Sequence, residues 1–437
     1  MSELQSDLTI GEGWQHASLG KLLPLKYGKS LPAQLRDPNG THPVYGSSGM
    51  VGTHSTALTI GPTLIVGRKG NVGAIHYSAV PCWPIDTAYF VKAPLGHNLR
   101  YYKYLLESLN LVKLDRSTAI PGLSRDDYNA VEVSVAPPEL QDEIVAEIEK
   151  QFSRLDEAVA NLQRVKANLK RYKASVLKDT VEGRLVPTEA ELARREGRSF
   201  ETGEQLLQRV LEVRRNKWSG KGKFKEPAPP VAVALPPLPA GWAWSTMPQL
   251  GELNRGKSKH RPRDDAALYG GPYPFIQTGD VRRSDGSITA HGQTYSEFGL
   301  KQSRLWPIGT LCITIAANIA ETGILKLEAC FPDSVVGFVS DQGYPTTEYV
   351  EFFIRTARAG LDRFASATAQ KNINLEVLES VAVPTPPLAE QQRIVAEVDR
   401  RLSLIRGVES EVNANLNRAQ ALRQATLSKA FVGDKRS

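Results

Sequence analysis

From Glu139 to about Thr180 the chain carries neither glycine nor proline, and Ile148, Leu155, Leu162, Leu169 and Val176 recur every seven residues. Ala158, Val165 and Tyr172 each follow a member of that row by three. A seven-residue apolar period predicts a helix with a coiled-coil seam. At 1.5 Å per residue, about 42 residues span roughly 60 Å, and the stripe is too narrow for a globular core helix. The seam returns near the end of the chain, where Val398, Ile405 and Val412 keep it, Val408 and Leu422 fill the flanking positions, and Thr426 weakens its end. A seam needs a partner. Pairing the two helices antiparallel within one chain is the economical solution, and it would set two domains at opposite ends of a rod. A homodimeric coil is the alternative.

The rest of the chain has a different rhythm. Residues 14–135 alternate short apolar runs (PVYGSSGMVG, PTLIVGRKGNVGAIHY, AYFVKA) with Gly and Pro punctuation, which predicts short strands and turns with one helical patch at residues 101–111. Residues 187–217 read as one or two short charged helices. The stretch SGKGKFKEPAPPVAVALPPLPAG that follows is rich in Lys and Pro with little to bury, so it predicts an extended linker, partly polyproline II.

The chain also repeats itself. Residues 144–149 (IVAEIE) return as 394–399 (IVAEVD), an offset of 250, at which Leu177 meets Leu427 and Gly183 meets Gly433. Pro137-Pro138 and Pro386-Pro387 precede the two copies, one residue out of step. Gly13-Trp14 answers Gly241-Trp242, and the turn Gly28-Lys29-Ser30 answers Gly256-Lys257-Ser258. A period this long is no solenoid. It predicts a duplicated module, each copy a mixed domain followed by a long helix, and two like modules suit a target with two like halves.

Composition narrows the function. With 437 residues and 41% hydrophobic content, two to four soluble domains can bury real cores. The net charge of +7 and a pI near 9.1 favour an anionic partner such as nucleic acid or a membrane surface. Cys82, Cys312 and Cys330 lie far apart with no Cys-x-x-Cys spacing, so they read as reduced, buried and inert. The N-terminal stretch lacks the basic and apolar regions of a secretory signal, and no run approaches a bilayer span; a cytosolic protein is expected.

Gly251 to Ser258 (GELNRGKS) satisfies the phosphate-loop pattern G-x-x-x-x-G-K-S, but Pro248 stands before it and KSKHRPRDDA, with Pro262, after it, where the cradle needs a helix. Arg68-Lys69-Gly70-Asn71-Val72-Gly73 sits between TLIV and AIHY and predicts a basic hairpin tip that lets guanidinium and backbone approach phosphate or a guanine edge. Its counterpart, TLCITIAANIAETGIL, offers Asn318 and no cation. The second half carries its basic cluster at Lys257, Lys259, His260, Arg261 and Arg263, and again at Arg282-Arg283 after Gln277-Thr278-Gly279-Asp280. The two domains therefore should not read the same chemistry. Charge runs are usually solvated faces, so these residues carry weight as a set. No metal spacing among the seven histidines, no nucleophile elbow and no dinucleotide fingerprint is present, and Asp126-Asp127 and Asp264-Asp265 read as turns or helix caps.

The stretch from Thr368 to Val395 (TAQKNINLEVLESVAVPTPPLAEQQRIV) strongly resembles the end of a target-recognition domain in specificity subunits of type I restriction-modification systems. Residues 43–49 (PVYGSSG) and 62–73 (PTLIVGRKGNVG) are similar to another signature of that family. The first half departs from it at residues 120–124 (IPGLS), which replace 370–374 (QKNIN), so a contact made by Lys371 or Asn372 does not carry over. The resemblance implies an α+β protein with an internal pseudo-twofold repeat. Its parts would be a recognition domain (1–136), a central helix (137–186), a charged helical segment and linker (187–240), a second recognition domain (241–385) and a distal helix (386–437). It implies no catalysis and no cofactor in this chain. Partners would be double-stranded DNA, two modification subunits using S-adenosylmethionine, and restriction subunits using ATP and Mg2+. The expected DNA-contacting set is Lys29, Ser47, Arg68, Lys69, Asn71, Lys257, Lys259, Arg261, Arg263, Gln277, Arg282, Arg283, Lys371 and Asn372, with the helix seams available for docking. A coiled-coil scaffold with two protein-binding domains is the alternative.

Overall fold

The computed structural model describes residues 13–115, 122–220, 222–231, 235–316, 319–341, 343, 346–366 and 373–431. The fold is mixed α+β. The chain divides into two compact units, one from residues 1–165 with 411–437 and one from residues 166–410. Both divisions fall inside long helices, the central helix Pro138–Val181 and the distal helix Leu388–Phe431, so each helix contributes a portion to each unit.

In the first unit, Gln15–Ser18 pairs antiparallel with Glu132–Val135, which brings the two ends of the domain together immediately before the central helix. A four-stranded sheet runs in the order Lys26–Tyr27, Ala88–Val91, Thr63–Gly67, Ile75–Ser78, and a three-stranded one in the order Gly49–His54, His42–Gly46, Trp83–Pro84. Thr63–Gly67 is buried throughout, as an uninterrupted TLIVG run demands of a central strand. The expected helical patch is Leu99–Ser108, started by the Asn98 side chain, which accepts the Arg100 and Tyr101 N–H groups. It stops short of residue 111 because Asn110 adopts a positive φ of 50° and opens a 3-10 turn, Leu111–Leu114. Tyr101, Tyr102, Leu105 and Leu106 pack with Leu64, Val66 and Val91, with Ile144, Ile148 and Phe152 of the central helix, and with Leu427 and Phe431 of the distal helix.

The second unit begins the same way, with Ala243–Thr246 antiparallel to Ala382–Thr385. Its five-stranded sheet runs Gly251–Arg255, Val335–Ser340, Leu311–Thr314, Thr322–Leu325, Gly286–Ile288, beside a ribbon of Tyr269–Phe275 and Gln293–Tyr295. The helix Thr346–Ser366 covers this sheet, and Val350 and Ile354 join Leu311 and Phe338 in a core. Val176 and Leu177 of the central helix and Ile394, Val398, Leu402 and Ile405 of the distal helix complete it. Residues 187–217 form two helices, Glu189–Glu196 and Gly203–Asn216, each opened by a capping box on Thr188 or Thr202. The described residues from 223 to 240 are irregular, as a Pro-rich linker should be.

The apolar rows of the long helices differ from expectation on one side. Ile148, Val398, Ile405 and Val412 are buried, and Leu155, Leu162 and Leu169 half-buried. The flanking positions three residues on are not: Ala158, Val165, Tyr172, Val408 and Leu422 are exposed. The buried companions stand four residues on, as Phe152 does from Ile148 and Leu402 from Val398. A helix of 3.6 residues per turn lets a second row lie on either side of the first. Packing decided the side: Phe152 meets the Tyr104 ring edge-on at 5.6 Å, and the Arg423 guanidinium lies 3.9 Å over its face.

Candidate nucleic-acid interface

Five segments of the first unit converge, and Thr87 joins three of them. Its carbonyl accepts the N–H of Arg68 (3.0 Å) and of Lys69 (3.1 Å), and its hydroxyl accepts that of Ser47 (3.3 Å). The turn at Gly28 is held by Lys29 N–H to the Pro84 carbonyl at 3.0 Å and by the Trp83 indole to the Lys29 carbonyl at 3.0 Å. Glycine is required at position 28, because a Cβ there would lie 2.1 Å from the Ile85 carbonyl oxygen. Residues 68–73 do form the hairpin tip between Thr63–Gly67 and Ile75–Ser78, and the Arg68 carbonyl accepts the Leu123 N–H at 2.9 Å.

Lys29, Lys69 and Asn71 stand exposed on this rim and Arg68 is half-buried, while Ser47 is only 8% exposed, its carbonyl paired with the His76 ring at 3.0 Å. The Arg68 guanidinium donates to the Asp86 carbonyl at 3.0 Å and lies 5.3 Å over Tyr27 and 5.8 Å over Tyr89. Arg125 reaches the same Tyr27 ring at 5.8 Å. Burial, and then the neighbouring Tyr27, push the Tyr89 phenol up to about 12, so it stays a neutral hydrogen-bonding group. Tyr27, Tyr89 and Arg125 are absent from the sequence-derived set. Tyr27 could have been found from its place beside the Gly28-Lys29-Ser30 turn. Arg125 gave no signal, since nothing local says that residue 125 returns to residue 27.

The second unit is built from other groups. Gly256 repeats the role of Gly28, as a Cβ would lie 2.4 Å from the Phe331 and Pro332 carbonyl oxygens. The loop that follows is tied down at each residue: the Lys257 carbonyl accepts from the Ser303 hydroxyl at 2.8 Å, Ser258 pairs with the Tyr295 hydroxyl at 3.3 Å, and Gln302 accepts the Lys259 and His260 N–H groups. Arg263 forms an ion pair with Asp333 at 2.9 Å, and Arg261 turns its guanidinium onto the Ser258 and His260 carbonyls at 2.7 and 2.8 Å. No helix follows residue 256 before the short 3-10 turn Ala266–Leu268, so the phosphate-loop pattern here lacks the helix N-terminus that would bind phosphate. Asp265 instead caps that turn.

Gln277, Arg282 and Arg283 sit at the other end of the Tyr269–Phe275 ribbon. Gln277 caps the short helix Thr278–Arg283 and Arg282 and Arg283 are its last two residues, beside an open cavity of about 330 Å³ lined in part by Asp280, Arg283 and His291. Gln277 bonds Gln293 and Arg283 pairs with Asp280 at 2.6 Å. The second unit therefore holds Arg263 and Arg283 against carboxylates, whereas among the described residues Arg68 and Arg125 of the first have no acidic partner. Lys371, Asn372 and Asn318 lie outside the described residues. The three cysteines are buried and free, and burial raises each thiol. No described helix is long and apolar enough to cross a membrane.

Comparison with known proteins agrees with this division. A family model described as the type I restriction modification DNA specificity domain matches residues 11–171 and 239–416, one match for each half. The chain is 24% identical over 440 residues to the type I restriction enzyme EcoDI specificity subunit of Escherichia coli, covering 96% of this chain and 88% of that one. It is 25% identical over 276 residues to the EcoAI specificity subunit of the same organism, covering 58% of this chain and 42% of that one. Among solved structures it is similar in fold to a chain from work on complex assembly and conformational transition of the type I R-M system. That chain is 18% identical with a TM-score of 0.62, over 98% of this chain and all of that one. The chain belongs to the type I restriction-modification DNA specificity family.

Proposed function

We propose that this chain is the DNA-sequence reader of a type I restriction-modification complex and that its two units read unlike halves of one bipartite target. The observation that carries the reading is the difference between the rims: a cation-bearing hairpin tip in the first unit, and in the second a loop and a short helix whose Arg263 and Arg283 are paired with the Asp333 and Asp280 carboxylates. The candidate contacts are Lys29, Arg68, Lys69 and Asn71 in one unit and Lys257, Lys259, Arg261, Arg263, Gln277, Arg282 and Arg283 in the other. Their division between bases and phosphates follows from how firmly each is held. As a specificity chain, it contributes recognition, and the chemistry belongs to partner modification and restriction subunits with their S-adenosylmethionine, ATP and Mg2+.

We further read the long helices as an antiparallel pair within one chain and the whole as a pseudo-twofold repeat. In the first unit the reading is supported by Arg423 to Asp156 at 2.7 Å and Thr426 to Gln151 at 3.3 Å, since the residue number rises on one helix as it falls on the other. In the second unit it is supported by the shared core of Leu169 and Val176 with Val398 and Ile405. The helices and their junctions would dock the modification subunits. The domain limits proposed are 1–136, 137–186, 187–240, 241–385 and 386–437.

The test is selection from a randomised duplex library by the full chain assembled with its modification subunits. A two-part consensus bound with steep salt dependence is expected. Exchanging residues 14–135 for those of a relative should change one part and leave the other. Binding without sequence preference would instead make the chain a scaffold.

A further inference from the structure

We propose that Tyr27, Arg68 and Arg125 form one DNA-contacting element of the first unit, in which Arg68 reads a guanine edge, Arg125 holds a backbone phosphate and the Tyr27 ring positions both. The inference rests on the DNA-reading function above and assigns chemistry within it. Tyr27 is 52% exposed, yet its ring is boxed by groups from three other segments: the Tyr89 ring edge-on at 5.0 Å, Arg68 at 5.3 Å and Arg125 at 5.8 Å. A guanidinium over an aromatic face is attracted by the ring's negative quadrupole. Two guanidiniums on one ring repel each other, and among the described residues neither has a carboxylate to offset this. A cation pair of this kind at an exposed rim is completed by an anion or by forked acceptors from outside.

The two arginines are held differently, which separates their roles. Arg68 is fixed at its backbone N–H by Thr87, at its carbonyl by Leu123 and at its side chain by the Asp86 carbonyl. Such a side chain can meet the O6 and N7 acceptors of guanine in one geometry, which base discrimination requires. Arg125 is an exposed residue opening the short helix Arg125–Asn129, and its guanidinium lies over the Tyr27 face. A looser guanidinium suits phosphate, where charge matters more than angle.

The test uses the full chain assembled with its modification subunits, and duplexes carrying the consensus from the library selection. Arg68→Ala should lose about 5- to 150-fold discrimination at one base of one half-site. Arg125→Ala should weaken binding to all sequences alike and reduce the slope of log K against log salt by about one. Tyr27→Phe, which keeps the ring, should behave as the parent. Tyr27→Leu should lose part of the discrimination lost in Arg68→Ala, with the second half-site unaffected as the control for folding. An unchanged salt slope in Arg125→Ala, or parental discrimination in Tyr27→Leu, would overturn the proposal. Failure of the parent chain to yield any consensus would overturn the DNA-reading function itself, a separate result.

Discussion

Gln141 Oε1 accepts the backbone N–H of Asn98 at 2.8 Å, while its amide donates to the Ala136 carbonyl at 2.9 Å. The first turn of the central helix is thereby tied to the start of helix Leu99–Ser108 and to the strand before it. Gln391, 250 residues on, does the same in the second unit: Oε1 accepts the Thr346 hydroxyl at 3.0 Å and Nε2 donates to the Pro386 carbonyl at 2.9 Å. Both glutamines are fully buried.

Loss of either glutamine should therefore loosen its own domain from its helix. Gln141→Leu or Gln391→Leu leaves a buried N–H or hydroxyl and a carbonyl without partners, a cost of about 1–3 kcal/mol for each group. Thermal denaturation should show the loss, and hydrogen exchange should place it in the unit that carries the change. Melting like that of the parent would show that water replaces both bonds.

The burial of the helix rows makes a paired prediction. Ile405 is 3% exposed and Val408 is 44% exposed. Ile405→Asp should cost several kcal/mol, because it buries a carboxylate against apolar neighbours. Val408→Asp should stay within about 0.5 kcal/mol. Chemical denaturation of the two variants gives the comparison, and equal effects would show that burial of this row does not decide the stability of the helix packing.

Glu390 accepts the Trp242 indole N–H at 2.9 Å and the Glu189 backbone N–H at 2.8 Å, fastening helix Glu189–Glu196 to the distal helix. Burial pushes its carboxyl up, and the two donors act against that. Glu390→Leu strands both donors, so a loss of about 1–3 kcal/mol per donor is expected in thermal unfolding. At the matching position of the first half stands Leu140, 38% exposed. Leu140→Glu should be within about 0.5 kcal/mol of the parent, and a comparable loss there would contradict the assignment of the effect to stranded donors.

Hydrogen bonds from Arg400 and then Arg401 hold the Glu397 carboxyl well below its ordinary 4.5, at about 2. A carboxylate whose pKa falls on folding stabilises the protein fully above the unfolded value and loses that contribution as pH drops toward the folded one. Glu397→Gln should thus melt below the parent at about pH 7, and the gap should close as pH falls through the range between 4.5 and 2. Melting curves across that range test it, and a gap that persists unchanged at the acid end would show that the pairing contributes no pH-dependent stability.

The sequence by itself determined what repeats locally. The seven-residue apolar row made two long helices legible, the first also through its lack of Gly and Pro from residue 139 to 180, and the matched fragments around them pointed to the two regions that the family model matches. The apolar runs broken by Gly and Pro gave the short strands and the hairpin tip at residues 68–73, because alternation, turn chemistry and helix period act over a few residues. The family was legible too, from residues 368–395 and 43–73. Only the tertiary structure decided which flank of each helix row is buried, since Val408 and Leu402 both lie beside the row and the packing partner alone chooses between them. It also decided that Arg125 meets Tyr27 although the two stand 98 positions apart in the chain, that Ser47 lies beneath the rim it was expected to line, and that Arg263 and Arg283 are held by Asp333 and Asp280. Each of these is a pairing between distant segments, and a linear pattern carries the period of an element but not the identity of what folds against it.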